Sequence, residues 1–71
     1  MIIKLTNASK EYDGKALLIN SRHILSVFEG VKILDDNTVE TITNIYTVTK
    51  ESWIVKESIE TIFLKIKGED I

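Results

Sequence analysis

Seventy-one residues with a net charge of −2, no cysteine, no proline and one histidine exclude several classes at once. A disulfide-stapled secreted scaffold needs cysteines, a structural zinc site needs several His or Cys ligands, and a nucleic-acid binder carries clustered Lys and Arg, whereas Arg22 stands alone. What remains is a single domain over residues 1–71 whose hydrophobic fraction, 44%, is high for so small a chain.

A chain of this size buries only about 60% of the surface its unfolded form exposes, so the core is expected to be thin. With disulfides and metals out of reach, burial against another subunit is the remaining source of stability, and a homo-oligomer is expected. The opening Met1-Ile2-Ile3 is followed at once by polar residues, unlike a signal peptide, and no apolar run approaches the roughly 20 residues that span a bilayer. A cytoplasmic protein without membrane insertion is the expectation, and the missing cysteines fit a reducing compartment. Residues 1–28 carry four basic and two acidic side chains, and residues 29–71 carry five basic and nine acidic, a mild tilt that forms no basic stripe, so nucleic acid is not an expected partner. Twelve isoleucines, with eight lysines to one arginine, read as the bias of an AT-rich bacterial or phage genome, and β-branched isoleucine pushes the fold toward sheet.

Along the chain, Ile2 to Thr6 reads as an opening strand with Ile3 and Leu5 on one face. Asp13-Gly14 marks a turn, and Lys15 to Asn20 forms a second strand, pairing with the first as a hairpin. Its run Ala16-Leu17-Leu18-Ile19 predicts that both faces are covered, as in a central strand or at a subunit contact. Asn20 to His23 is a polar break, read as one helical turn leading into a third strand at Ile24 to Phe28. Gly30 is expected to permit a bend, after which Val31 to Leu34, Asp35-Asp36-Asn37 and Thr38 to Thr43 look like strand, turn and strand. This stretch forms either a hairpin projecting from the body or an ordered loop. Asn44 to Thr49, the turn Lys50-Glu51-Ser52, and Trp53 to Val55 form a second hairpin, with Tyr46 and Val48 on one face and Ile45 on the other. Trp53 and Tyr46 are expected to pack in the core or at an interface, while Tyr12 beside the first turn is read as exposed.

The last element is a helix. Ser58 is its N-cap, Glu60 lies in the first turn, Lys65 and Lys67 lie in the last, and Gly68 is the expected stop. Ile59, Ile62, Phe63 and Ile66 fall on one stripe predicted to lie on the sheet, with Leu64 off it. The fold class is therefore α+β: a small antiparallel sheet or partly open barrel of four to six short strands, with one C-terminal amphipathic helix packed on it.

Little catalytic chemistry is written in these residues. A serine nucleophile would need His23 as its base, but Ser21 and Ser26 approach it in sequence only, and no G-x-S-x-G elbow is present. His23 is read as a turn residue. Asp35-Asp36-Asn37 offers three oxygen-bearing side chains, but adjacent residues point apart, so a solvated turn is expected rather than a metal site. Glycines at 14, 30 and 68 are isolated and build no phosphate loop. No cofactor, no metal and no enzymatic activity are expected.

The opening Met1-Ile2-Ile3-Lys4-Leu5-Thr6, the step Leu18-Ile19-Asn20 followed by Ile24, and the closing run from Trp53 through Val55-Lys56-Glu57-Ser58 to Ile62 resemble the small FlbD-like flagellar and swarming-motility proteins. The chain differs by carrying extra residues between Phe28 and Asn44, and Lys50-Glu51-Ser52 in place of that family's N-G turn. The resemblance implies a small non-enzymatic bacterial or phage protein that acts through contacts with other proteins, and it transfers no catalytic residue. A non-enzymatic, oligomeric interaction module that binds a partner protein is thus the leading expectation. The alternative is a phage-type protein that sequesters a small nucleotide signal at subunit interfaces, with Lys4, Tyr12, Lys15, Arg22 and His23 of the more basic half as candidate ligand-binding residues.

Overall fold

A computed structural model of the chain describes residues 1–68, and shows an α+β fold of two small antiparallel sheets and one C-terminal helix. Strand β1 (Ile2–Thr6) pairs with β2 (Ala16–Asn20), from Ile2 opposite Asn20 to Thr6 opposite Ala16. The connecting loop folds back on itself: Asn7 N–H donates to the Lys15 carbonyl at 2.8 Å, and Gly14 N–H donates to the Asn7 carbonyl at 2.9 Å. Gly14 sits at φ +82°, a left-handed conformation that a Cβ disfavours, which explains the Asp-Gly signal.

The predicted helical step is a 3-10 turn, Ser21–His23, capped where the Asn20 side chain accepts from Arg22 N–H at 3.0 Å. Strand β3 (Ile24–Ile33) then pairs along almost its whole length with β4 (Val39–Thr47), and β4 pairs with β5 (Ser52–Val55), giving the order β3-β4-β5. The middle segment is thus a hairpin, the first of the two forms expected for it. Gly30 makes no bend, since β3 runs straight through it. Its small size answers a different need: a Cβ there would meet Asn44 Nδ2 at 2.5 Å and Ile42 Cδ1 at 3.2 Å on the neighbouring strand. The β4–β5 turn also lies earlier than expected, over residues 48–51 rather than 50–52. Thr47 sets it, its hydroxyl accepting from Glu51 N–H at 3.1 Å while its own N–H donates to the Glu51 carbonyl at 3.0 Å.

The two sheets meet at one point. Asn7 forms a single antiparallel bridge with Val55, in which Ala8 N–H donates to the Ile54 carbonyl at 2.8 Å and Lys56 N–H donates to the Thr6 carbonyl at 2.9 Å. The layout is therefore a partly open wrap rather than a closed barrel, and helix α1 (Ile59–Gly68) packs into it. Ile3 and Leu5 of β1, Ile19 of β2, Ile45 of β4, Val55 of β5 and Ile62 of α1 form the buried core, with Leu17, Ile24, Val27, Trp53 and Ile66 packed around it.

The four residues from strand β5 into the helix each have a distinct task. Val55 is fully buried. The Lys56 ammonium lies 3.3 Å from the Asp13 carboxylate. Glu57 reaches back across the sheets, accepting from Thr6 N–H at 2.8 Å and from the Thr6 hydroxyl at 2.9 Å, while the Thr43 hydroxyl donates to its carbonyl at 2.6 Å. Ser58 caps the helix by accepting from Thr61 N–H at 3.1 Å. This junction clasps β1 to β4 and starts the helix in the same stroke.

Two expectations about burial are corrected. Strand β2 has β1 as its one strand neighbour among the described residues, so it is not central in its sheet; Ile19 is buried on one face, whereas Leu18 on the other is 66% exposed in the single chain. Phe63 was expected on the buried helix stripe but is 60% exposed, beside the equally exposed Leu64. The space between two such small sheets admits only the isoleucine edge of α1, with Ile62 buried and Ile59 and Ile66 half-buried. Tyr46, opposite in face to the buried Ile45, stands outside the core, whereas Trp53 packs against it as expected. Gly68 is still helical and is the last described residue, so its role as a stop lies outside them.

Candidate functional site

Antiparallel geometry scatters the five candidate ligand-binding residues. Tyr12 and Lys15 sit in the β1–β2 loop, joined by the bond from Lys15 N–H to the Tyr12 carbonyl at 2.9 Å. Lys4 is exposed at the middle of β1, opposite Leu18. Arg22 and His23 are exposed in the 3-10 turn, at the other end of the hairpin, a separation of about 13 Å along five-residue strands. Tyr12 lines one cleft and His23 another, and Lys4, Lys15 and Arg22 line neither.

The Thr47 and Thr49 hydroxyls, which line the same cleft as His23, are engaged elsewhere. Thr47 and Thr49 share a hydrogen bond of 2.9 Å, and the Thr49 hydroxyl donates to Glu51 Oε1 at 2.9 Å. Ser26 lines a different cleft, beside Phe28 and Tyr46. At the β3–β4 turn, Asp36 Oδ1 accepts from the Thr38 hydroxyl at 2.6 Å and from Thr38 N–H at 3.1 Å. These bonds, the hydroxyl first, hold the Asp36 carboxyl below its usual range and commit it to the turn.

Two surfaces stand out instead. The first is the far half of the β3–β4 hairpin. Strand β5 pairs with β4 only from Thr43 to Tyr46, so among the described residues the ribbon beyond Thr43 has no third strand. Alternation places Val31, Ile33 and Val39 on the face that carries Val27 and Ile45 closer to the body. The inner face thus continues past the core, through the pair Glu29 and Thr43, to a second apolar group beside Thr41, where Val31 is 67%, Ile33 71% and Val39 66% exposed. The ribbon is tied down on its other face: Lys32 Nζ donates to the Ala8 carbonyl at 2.7 Å and lies 3.8 Å from the Asp13 carboxylate that Lys56 also approaches.

The second surface is a cleft of about 310 Å³ between the β1–β2 loop and strand β5, lined by Asn7, Ser9, Lys10, Glu11, Tyr12, Ser52, Trp53 and Ile54. Two polar atoms of these residues, Asn7 Oδ1 and Ser9 Oγ, are buried beneath its wall and have no hydrogen-bond partner. Sequence reasoning reached Tyr12 and Trp53 of this cleft through their aromatic character. Asn7, Ser9 and Ser52 carry no such signal, because each is an ordinary polar residue next to a turn.

Comparison with the models of known protein families, with curated proteins and with solved structures finds no match to this chain. Among the described residues, no helix is long and apolar enough to cross a membrane.

Proposed function

We propose that this chain is a non-enzymatic interaction module of bacterial or phage origin, working in the cytoplasm, which self-associates and acts by binding a partner protein. The observation that carries the reading is the uncovered continuation of the inner sheet face over Val31, Ile33 and Val39. Each such side chain gains about 1.5–3 kcal/mol on full burial, so three together on a paired ribbon favour association. Phe63 and Leu64 of α1, both more than half exposed, add apolar surface on the helix. The resemblance to the FlbD-like proteins supports the same kind of role, and the engagement of the Thr47 and Thr49 hydroxyls with each other and with Glu51 supports the absence of catalysis.

Size-exclusion chromatography with light scattering tests the self-association. The wild-type chain is expected to run as an oligomer and an Ile33→Lys/Val39→Lys variant as a monomer with unchanged circular dichroism. A wild-type protein that stays monomeric at high micromolar concentration would sink this part of the proposal.

A further inference from the structure

The phase of the hydrogen bonds in the β3–β4 hairpin fixes where each backbone group of β3 points. At the tip, Leu34 N–H donates to the Thr38 carbonyl at 2.8 Å, so the even-numbered residues of β3 turn their N–H and C=O groups toward β4. The far side of β4 agrees. Thr47 N–H donates to the Glu51 carbonyl at 3.0 Å, so the odd-numbered residues of β4 serve β5 and the even-numbered ones serve β3. Val27, Glu29, Val31 and Ile33 therefore turn their backbone groups away from β4, along an edge where no strand lies among the described residues. No other described group bonds them there.

An open strand edge is a template for further pairing, and proteins guard such edges with bulges, prolines, charged side chains or short strands. This edge is poorly guarded. The register with β4 runs unbroken from Ser26 to Ile33, its one irregularity lying earlier, between Ile24 and Ser26, and the chain has no proline. Lys32 is the natural guard, but its ammonium is drawn away to the Ala8 carbonyl at 2.7 Å and toward the Asp13 carboxylate. Glu29 is the one other charge among these residues. The open edge of β2 is shorter: Ser21 N–H donates to the Met1 carbonyl at 2.9 Å, and by the same phase only Ala16, Leu18 and Asn20 turn outward there.

We propose that two copies of this chain pair antiparallel along their β3 edges, about a two-fold axis at Gly30, and join their three-stranded sheets into one continuous sheet. The proposal rests on the self-association reading and names its surface and register. A two-fold contact joins a surface to itself, and an antiparallel strand edge is complementary to itself, because opposed residues exchange N–H and C=O groups. Centring on Gly30 sets Val27 opposite Ile33 of the second copy and Glu29 opposite its Val31. All four outward-turned residues are then satisfied, by about eight hydrogen bonds. Neighbouring registers are worse. Moving the axis one residue earlier sets Glu29 against Glu29, two like charges face to face, and moving it one residue later leaves Val27 without a strand partner. At the axis Gly30 meets Gly30 with about 4.5 Å between Cα atoms, the closest pairing in such a ladder, and no side chain stands between them. Ile33, 71% exposed in the single chain, gains Val27 as a cross-strand neighbour, and Phe28, 54% exposed, gains the stem of Lys32.

Hydrogen exchange resolved to single amides, run on the wild-type chain beside light scattering at the same concentrations, tests the pairing. The Glu29, Val31 and Ile33 amides are expected to exchange fast in the dilute monomer and to slow by about tenfold or more as the dimer forms, while those of Phe28 and Lys32 are protected throughout. A Phe28→Cys/Lys32→Cys variant is expected to form a disulfide-linked dimer on mild oxidation, because these positions face each other across the axis and the chain has no other cysteine. Within one copy they stand about 13 Å apart along the strand and cannot bridge. Val31→Pro removes an outward N–H, spares the ladder with β4, and is expected to run as a monomer. Oligomers in which the odd-numbered amides stay fast, or in which Phe28→Cys alone links as readily as the pair, would overturn the Gly30-centred pairing and leave self-association standing. A wild-type chain that stays monomeric at high micromolar concentration would overturn both.

Discussion

The two halves of the β3–β4 hairpin have the same strands, the same pairing and much the same residue types, yet opposite fates. Near the body, Ile45 is buried and Val27 packs against the core, because β5 extends the sheet and β1, β2 and α1 cover its inner face. Past Thr43 the same face carries Val31, Ile33 and Val39 in the open. A β-branched residue thus contributes to stability here only where another element stands opposite it, and strand propensity alone secures the ladder but not the burial.

That contrast can be broken most severely at Ile45. Ile45→Ala leaves a cavity at the junction of sheet and helix and is expected to cost about 3 kcal/mol in urea denaturation, whereas Ile33→Ala is expected to change the stability of the monomer by less than about 0.5 kcal/mol. Equal losses at the two sites would mean that the ribbon is covered even in the monomer. Glu57 sharpens the comparison, because its carboxylate is one of the links by which the body, and not the ribbon, is clasped. Glu57→Ala removes the acceptor for both Thr6 N–H and the Thr6 hydroxyl, and a loss of about 2 kcal/mol is expected. A loss too small to measure would show that the core residues and the backbone bridge at Asn7 and Val55 suffice to hold β1 to β5.

The smallest effect is at the ribbon's tip. The Asp36 carboxyl is held below its usual range chiefly by the Thr38 hydroxyl, so the charged form is favoured in the fold. Its contribution to stability is present above the ordinary aspartate range and is lost as the pH falls through its lowered folded-state value. Thr38→Val is expected to move the Asp36 midpoint upward in a carbon-detected NMR titration, toward an ordinary aspartate. An unmoved midpoint would assign the effect to backbone bonds alone.

Much of the molecule was legible in its residues. Alternation of Ile3 and Leu5, the Asp13-Gly14 turn and the cap at Ser58 are local signals, and each element they mark is where they put it. The polar break at Asn20 to His23 likewise named the turn that the chain makes. The errors share one cause. Four apolar residues in β2 suggested a central strand or a subunit contact, and four apolar positions on one helix stripe suggested four buried side chains, but in the single chain Leu18 and Phe63 are exposed, because none of its described elements stands over them. Gly30 suggested a bend, and only the neighbouring strand shows that its missing Cβ makes room for Asn44 and Ile42.

The open edge of β3 lies furthest from the sequence. It exists because no described strand follows β3 on that side, and no local pattern records where one strand stops following another. The residue order by itself determined the elements, their caps and turns, and the periodicity of their apolar faces, because these depend on neighbours a few positions away. The tertiary structure decided which of those faces were covered, which edge of β3 was left open, and which polar atoms were stranded beneath the cleft. Those outcomes depend on long-range packing, where a single bridge fixes the position of a whole loop.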